Sequence, residues 1–190
     1  MNLNENILRV KQIMGLISEG EGNIDSKVDF VFENNPELSN IGTKEQYLEY
    51  LSTIFPDSKI KNIMFHSSPN KFSKFKDPST TGLSHIWFSE EPLDDQFGSN
   101  VYSVVLNLIN PLNEKDKNYG EEIRKYENPS NPDWINNYGL TGELPKFKYD
   151  GTIRSSRVDG GKSVTVRNPS QVHILGSEKD VEQFENFLMK

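Results

Sequence analysis

The chain has 190 residues, of which 34% are hydrophobic, 26% charged and 11% aromatic, which fits one domain, or one domain with a helical appendage. Its net charge of −7 argues against a nucleic-acid-binding protein, which usually shows a basic face. Cysteine is absent, so disulfides, thiolate metal sites and a cysteine nucleophile are excluded. No apolar run approaches the roughly 20 residues that span a bilayer, so we expect no membrane partner and a cytoplasmic location.

The first 58 residues predict a helical N-terminal region. Residues 4–18 carry an amphipathic stripe, which favours a helix packed on the rest of the domain over a free docking peptide for a partner. Residues 28–32 form a short apolar run that does not distinguish helix from strand. Residues 43–46 have the pattern of a capping box, and they predict a helix that ends before Pro56.

From residue 59 onward, strand-like runs alternate with clusters of Gly, Pro, Asn and Ser. The predicted strands cover residues 60–65, 86–89, 101–109, 149–154, 163–167 and 172–175. Ser177 and Asp180 predict the N-cap of a last helix. Residues 110–145 form an insertion too long for a plain connection, so we expect it to be functional, partly helical or mobile. The order of the predicted elements, with helices first, then mostly strands and then a helix, predicts an α+β fold with an antiparallel-dominated sheet, N-terminal helices and a C-terminal helix.

Common ligand motifs are missing from the chain. There is no Walker loop, no dinucleotide-binding glycine fingerprint and no HExxH sequence. The three histidines, His66, His85 and His173, are too scattered to indicate a preformed metal triad, so we predict no metal site.

Two strand ends carry side chains suited to a binding cleft. His66 ends an apolar strand and is followed by Ser67, so it either enters a cleft or caps the loop. Trp87 and Phe88 precede Ser89 on the next predicted strand, and an aromatic face attracts a flat cationic ring. Since neighbours on a strand face opposite ways, one of these two aromatics must belong to the core.

Three segments, in this chain order, resemble the ADP-ribosyltransferase fold, in particular the small versions carried by phages and their polyvalent proteins. They are Ile63-Met64-Phe65-His66-Ser67-Ser68, His85-Ile86-Trp87-Phe88-Ser89-Glu90-Glu91, and Tyr149-Asp150-Gly151 with Val164-Thr165-Val166-Arg167-Asn168-Pro169-Ser170-Gln171. The resemblance implies an ADP-ribosyltransferase-like domain over residues 59–190 with a split, antiparallel-dominated sheet. It also implies NAD as the substrate. The first sixty residues lie outside it.

The resemblance implies a role for each residue at the two strand ends. In members of the His-Tyr-Glu type, a histidine matching His66 holds the adenosine ribose of NAD, and the next small polar residue, here Ser67, touches the nicotinamide amide. An aromatic strand matching Trp87 and Phe88 supports the nicotinamide ring, and a serine matching Ser89 steadies that strand. Phe72 and Phe75 match spaced aromatics after the histidine, and we expect both in the core.

The glutamate of the family's third motif is not matched. Counting back from Pro169, its place holds Ser163, and a serine can donate a hydrogen bond but cannot supply the charge that stabilises an oxocarbenium-like transition state. The candidate catalytic residues are therefore Ser163 itself, the carboxylates Asp159, Asp150, Glu143 and Glu90, and the neutral Gln171.

These observations lead to two functional interpretations of the resemblance. The first is an NAD-dependent ADP-ribosyltransferase, a phage or bacterial effector that modifies a host protein in the host cytoplasm or is carried in the virion. The second is a catalytically silent module of the same fold, acting as a virion component or as an inhibitor of a host protein. An unrelated α+β interaction domain is a third interpretation.

Overall fold

The computed structural model describes residues 24–78, 85–93, 97–124, 148–156 and 161–190. Within these ranges the chain forms a seven-stranded, mostly antiparallel sheet and five α-helices, which confirms the α+β class. The predicted helix at residues 4–18 lies outside the described residues. None of the described helices has the length and apolar character needed to cross a bilayer.

The helices are α1 Ile24–Asn34, α2 Leu38–Ile41, α3 Lys44–Ile54, α4 Tyr119–Arg124 and α5 Glu178–Leu188. The strands are β1 Met64–Ser68, β2 Ile86–Ser89, β3 Asn100–Leu106, β4 Leu112–Asn113, β5 Gly151–Ser156, β6 Gly161–Val166 and β7 Val172–Ile174. Their order in the sheet is β4-β5-β6-β2-β1-β3-β7. The pair β4–β5 is parallel, and the other described pairs are antiparallel.

Local capping signals set two helix starts as predicted. Thr43 accepts a hydrogen bond from the backbone N–H of Gln46, whose side chain reaches back to the Thr43 N–H, so the capping box of α3 is confirmed. Ser177 accepts from the N–H of Asp180 at the start of α5. The ambiguous run at residues 28–32 lies inside α1.

Two strand predictions had wrong bounds. The strand predicted at residues 60–65 is displaced and lies at Met64–Ser68, and the one predicted at residues 101–109 ends at Leu106. Side chains divert the backbone groups beyond Leu106. Ser58 Oγ accepts from the Leu108 N–H at 3.1 Å, and Asp150 Oδ2 accepts from the Ile109 N–H at 2.6 Å, so the regular ladder cannot continue. The insertion at residues 110–145 contains β4 and α4, and residues 125–147 lie outside the described part.

The core occupies both faces of the sheet. On one face, Phe65 of β1 and Val105 of β3 pack against α1, α3 and α5, for example against Val31 and Phe184. The N-terminal helices therefore share a core with the strands that follow residue 59. The opposite face has a second cluster made of β1, β2, β3 and β6 side chains: Met64, Ile86, Phe88, Val104, Leu106, Val164 and Val166, with Leu108 beside them.

The sheet has two halves that meet at β1 and β2. The β2–β6 ladder has four residue pairs and the β1–β3 ladder has five, but β1 and β2 are joined by one pair, Phe65 opposite Ser89. Ser89 Oγ lies 3.3 Å from the Phe65 carbonyl oxygen and supplements this pair. We call this junction the seam. It leaves the ends of β1 and β2 beyond the pair without a regular ladder between them.

His85, directly before β2, makes folding sensitive to acid. Burial lowers its pKa to about 4, and the positive charge of Arg167 contributes in the same direction. In the unfolded chain the imidazole takes up a proton near pH 6.5, so the unfolded state is favoured as the pH falls from 6.5 towards 4. We expect this group to cost about 2–3 kcal/mol of unfolding free energy between pH 7 and pH 4.5. Urea denaturation at both pH values should show a smaller loss for His85→Gln than for the wild type, and an equal loss would contradict this assignment.

Candidate functional site

His66 lies at the seam and bridges the two half-sheets. Its Nδ1 is 2.8 Å from the carbonyl oxygen of Trp87 on β2. Because a carbonyl oxygen only accepts, Nδ1 carries the proton and the neutral ring leaves Nε2 as an acceptor. Within the described residues Nε2 has no hydrogen-bond partner. The side chain therefore offers one acceptor atom to a ligand.

Four aromatic rings surround the His66 imidazole. The ring centroids of Phe75, Phe88, Phe72 and Tyr102 lie 5.0, 5.7, 5.9 and 6.5 Å from it. Burial among them lowers the pKa of His66, and the bond to the Trp87 carbonyl opposes this only in part. His66 is thus half-buried and neutral at physiological pH.

A buried carboxylate follows Phe88 on the same face of the sheet. The Glu90 N–H donates to the Lys162 carbonyl at 3.0 Å, which extends the β2–β6 ladder by one pair beyond Ser89. Alternation then places the side chains of Glu90 and Lys162 on the face that carries Phe88 and His66. The Lys162 Nζ is 3.6 Å from Glu90 Oε1, and Glu90 is only 7% exposed.

The backbone around Glu90 makes room for its carboxylate. Gly161 has a φ of +130°, which disfavours other residues, and a Cβ there would lie 2.5 Å from Glu90 Oε2. Glu90 Oε1 is shielded from solvent and accepts no hydrogen bond within the described residues. A buried carboxylate oxygen without a hydrogen bond is costly, and here its ionic partner is the Lys162 ammonium group at 3.6 Å.

The residues singled out in the sequence are divided between the two faces. Ser163 pairs with Ser89, and Trp87 pairs with Thr165, so these side chains share the face opposite to His66. Ser67 is the neighbour of His66 on β1, so its side chain also lies on the face opposite to His66. The Ser67 Oγ accepts from the Leu93 N–H at 3.3 Å.

The two aromatics of β2 differ in burial. Phe88 is a buried member of the core cluster and contacts His66, whereas Trp87 is half-buried. Phe72 and Phe75, which we expected in the core, are half-buried rings beside His66; Phe75 packs against the core cluster of β1, β2, β3 and β6.

Two further candidates lie at the other end of β5 and β6. The Gln171 side-chain oxygen accepts from the N–H groups of Arg167 and Asn168, and its Nε2 donates to the carbonyls of Asn107 and Asp150. These four hydrogen bonds use the whole amide, so it holds three loops together. Asp150 accepts from two backbone N–H groups through Oδ2.

The remaining carboxylate candidates, Asp159 and Glu143, lie outside the described residues. Among the described carboxylates considered, Glu90 is the one on the same face as His66. Sequence reasoning did not assign Lys162 or Tyr102 to the site. The strand alternation of residues 162–166 could have paired Lys162 with Glu90, had the β2–β6 register been known.

Comparison with known protein families, with characterised proteins and with solved structures finds no match for this chain.

Proposed function

We propose that the protein is an NAD-dependent ADP-ribosyltransferase that modifies another protein, in keeping with a phage or bacterial effector acting on a host. The observation that carries the proposal is the placement of His66 and Glu90 on one face at the seam. The resembling segments contribute residues to β1, β2 and β6, which are consecutive in the sheet, while Tyr149-Asp150-Gly151 leads into the neighbouring β5 and residues 167–171 follow β6. A seam with a single residue pair also supports the expected split sheet.

In this proposal His66 binds the sugar part of NAD. The Nε2 atom accepts a hydrogen bond from a ribose hydroxyl, while Nδ1–H holds the ring against Trp87. The half-buried rings of Phe72 and Phe75 offer faces to the flat, cationic nicotinamide ring, an attraction worth about 0.5–2 kcal/mol.

The reaction is a displacement at C1′ of the nicotinamide ribose. A nucleophile of the target protein forms a bond to C1′ as the bond between C1′ and the ring nitrogen breaks. The electron pair of that bond goes to the nicotinamide, which leaves uncharged, and the nucleophile gives up its proton to a base. Positive charge develops at C1′ in the transition state, and the Glu90 carboxylate supplies the fixed negative charge that Ser163 lacks.

A catalytically silent module of the same fold is the second candidate. The contact between Glu90 and Lys162 favours it, because the ammonium group 3.6 Å away offsets the negative charge that catalysis needs. Nicotinamide release by the wild-type protein separates the two candidates. Release that requires Glu90 supports the transferase, and NAD binding without release supports the silent module.

We expect NAD to raise the melting temperature by about 5–10 °C at a hundredfold excess over its Kd, since such a ligand adds about 2.7 kcal/mol. The matched variant is His66→Asn. Its amide N–H can still donate to the Trp87 carbonyl, but the Nε2 acceptor is gone. Differential scanning fluorimetry should show a melting temperature without NAD close to that of the wild type and less than half the NAD-induced shift. An equal shift in both proteins would place the NAD site elsewhere.

A further inference from the structure

A long open groove runs along the free edge of β7. Its volume is about 1090 Å³. Val172 and Ile174 of β7 line it, together with Phe72, Lys71, Lys74 and Lys179. In the described sheet β7 is the last strand, so its outer edge faces this groove.

The pairing pattern shows which backbone groups face outward. The Asn107 N–H donates to the Gln171 carbonyl at 2.8 Å, and the Leu175 N–H donates to the Ser103 carbonyl at 2.9 Å. Because hydrogen-bonded residues alternate along an antiparallel strand, the intervening groups of His173 also face β3. The N–H and C=O groups of Val172 and Ile174 therefore point towards the groove.

Two of these four groups are already satisfied. The Val172 N–H donates to the Pro169 carbonyl, and the Ile174 carbonyl accepts from Ser177 Oγ at 2.8 Å. The Val172 carbonyl and the Ile174 N–H have no partner in the described part of the chain. These two groups lie on either side of His173, so a single residue of an added strand can donate to the Val172 carbonyl and accept from the Ile174 N–H.

The charge of the groove is opposite to that of the whole chain. Lys71, Lys74 and Lys179 line it against one acidic residue, Glu178, whereas the chain carries a net charge of −7. The lysines favour an acidic partner, and the repulsion between two chains that each carry a net charge of −7 disfavours a second copy of this chain. Val172 and Ile174 add an apolar strip for alternate side chains of the partner, and Phe72, which the proposed function assigns to the nicotinamide ring, lies where the groove adjoins the His66 site.

We propose that this groove binds an extended acidic segment of another protein, which adds beside β7 as an edge strand. One residue of the segment donates to the Val172 carbonyl and accepts from the Ile174 N–H, and its acidic side chains lie near the three lysines. This inference does not depend on NAD.

The test uses a fluorescein-labelled octapeptide of alternating valine and glutamate, with fluorescence anisotropy as the readout. Ile174→Pro removes the outward N–H without removing a bond to β3, a position where a strand tolerates proline. Ile174→Val is the matched control that keeps the N–H. We expect the proline variant to bind the peptide about tenfold more weakly and the valine variant to bind it within about twofold of the wild type.

Two further experiments test the proposal without the proline variant, so they do not depend on whether that variant folds. A peptide N-methylated at its central residues should bind the wild-type protein about tenfold more weakly, and replacing its glutamates with lysines should abolish binding. Lys74→Glu together with Lys179→Glu should have the same effect on the original peptide. Unchanged binding of the N-methylated peptide, no binding of the acidic peptide, or tighter binding of an eight-nucleotide oligothymidylate would each overturn the proposal.

Discussion

Replacing Glu90 with glutamine should reduce the release of nicotinamide from NAD by about 10²–10³-fold. The amide keeps the volume of the side chain beside Gly161, so the backbone at the start of β6 is undisturbed. The negative charge that faces C1′ in the proposed transition state is lost. Release is measured by chromatography of the reaction mixture, with the NAD-induced thermal shift measured in parallel to show that binding survives.

The matched control is Glu91→Gln. Glu91 is the next residue along the chain and is exposed, so its neutralisation changes the net charge equally without altering the seam. The rate of nicotinamide release by Glu91→Gln should stay within about twofold of the wild-type rate, because exposed charges contribute little to interaction energies. Equal rates for Glu90→Gln and Glu91→Gln would remove Glu90 from the mechanism. A wild-type protein that binds NAD and releases no nicotinamide would favour the silent module.

Replacing Asp180 with alanine should lower the unfolding free energy by about 3–5 kcal/mol. Its carboxylate is fully buried and accepts hydrogen bonds from Tyr47 OH at 2.5 Å, Tyr50 OH at 3.0 Å and the Gly176 N–H at 2.8 Å. His173 Nε2 lies 2.6 Å from the same group. Alanine would leave these polar groups buried without their acceptor.

The Asp180 network connects α3, α5 and β7, so we expect its loss to lower the free energy of global, cooperative unfolding. Urea denaturation at pH 7 measures the change. Asp57→Ala is the control, since Asp57 is exposed and its removal should change the free energy by no more than about 0.5 kcal/mol. Asp180→Asn keeps the side-chain volume, so its loss of unfolding free energy should lie between the losses for Asp57→Ala and Asp180→Ala. A loss below about 1 kcal/mol for Asp180→Ala would show that the network contributes little to stability.

Local chemistry explains which parts of the fold could be predicted from the sequence. The helix starts at Thr43 and Ser177 depend on side chains within three residues of the cap, so the pattern alone contains the answer. The strand end at Leu106 depends on Ser58 and Asp150, which approach from distant parts of the chain. No short-range pattern contains that information.

The candidate site likewise combines features that the local sequence predicts with features that depend on distant residues. Counting along the chain identifies Ser163 as the position of the missing glutamate, but the nearby buried carboxylate belongs to Glu90 on the neighbouring strand. Its contact with Lys162 follows from the β2–β6 register, which sequence spacing does not determine. Likewise, alternation predicts that either Trp87 or Phe88 joins the core, and only the pairing of β2 shows that Phe88 does.

The resembling segment around Asn168 has a structural purpose of its own. The Asn168 side chain accepts from the Ser170 N–H, and the Gln171 side-chain oxygen accepts from the Asn168 N–H, so this turn caps itself. A short polar sequence of this kind can thus be required by the turn without any ligand. The proposed function therefore depends on His66 and Glu90.

The single residue pair at the seam gives the sheet a line of mechanical weakness. Pulling the two halves apart there breaks fewer backbone hydrogen bonds than separating any other pair of central strands. The imidazole of His66 crosses that line, since its Nδ1–H donates to the Trp87 carbonyl where a backbone N–H would donate in a regular ladder. A ligand that contacts His66 on one half and Glu90 on the other would fasten the two halves together, so binding and the rigidity of the sheet are coupled at the same few atoms.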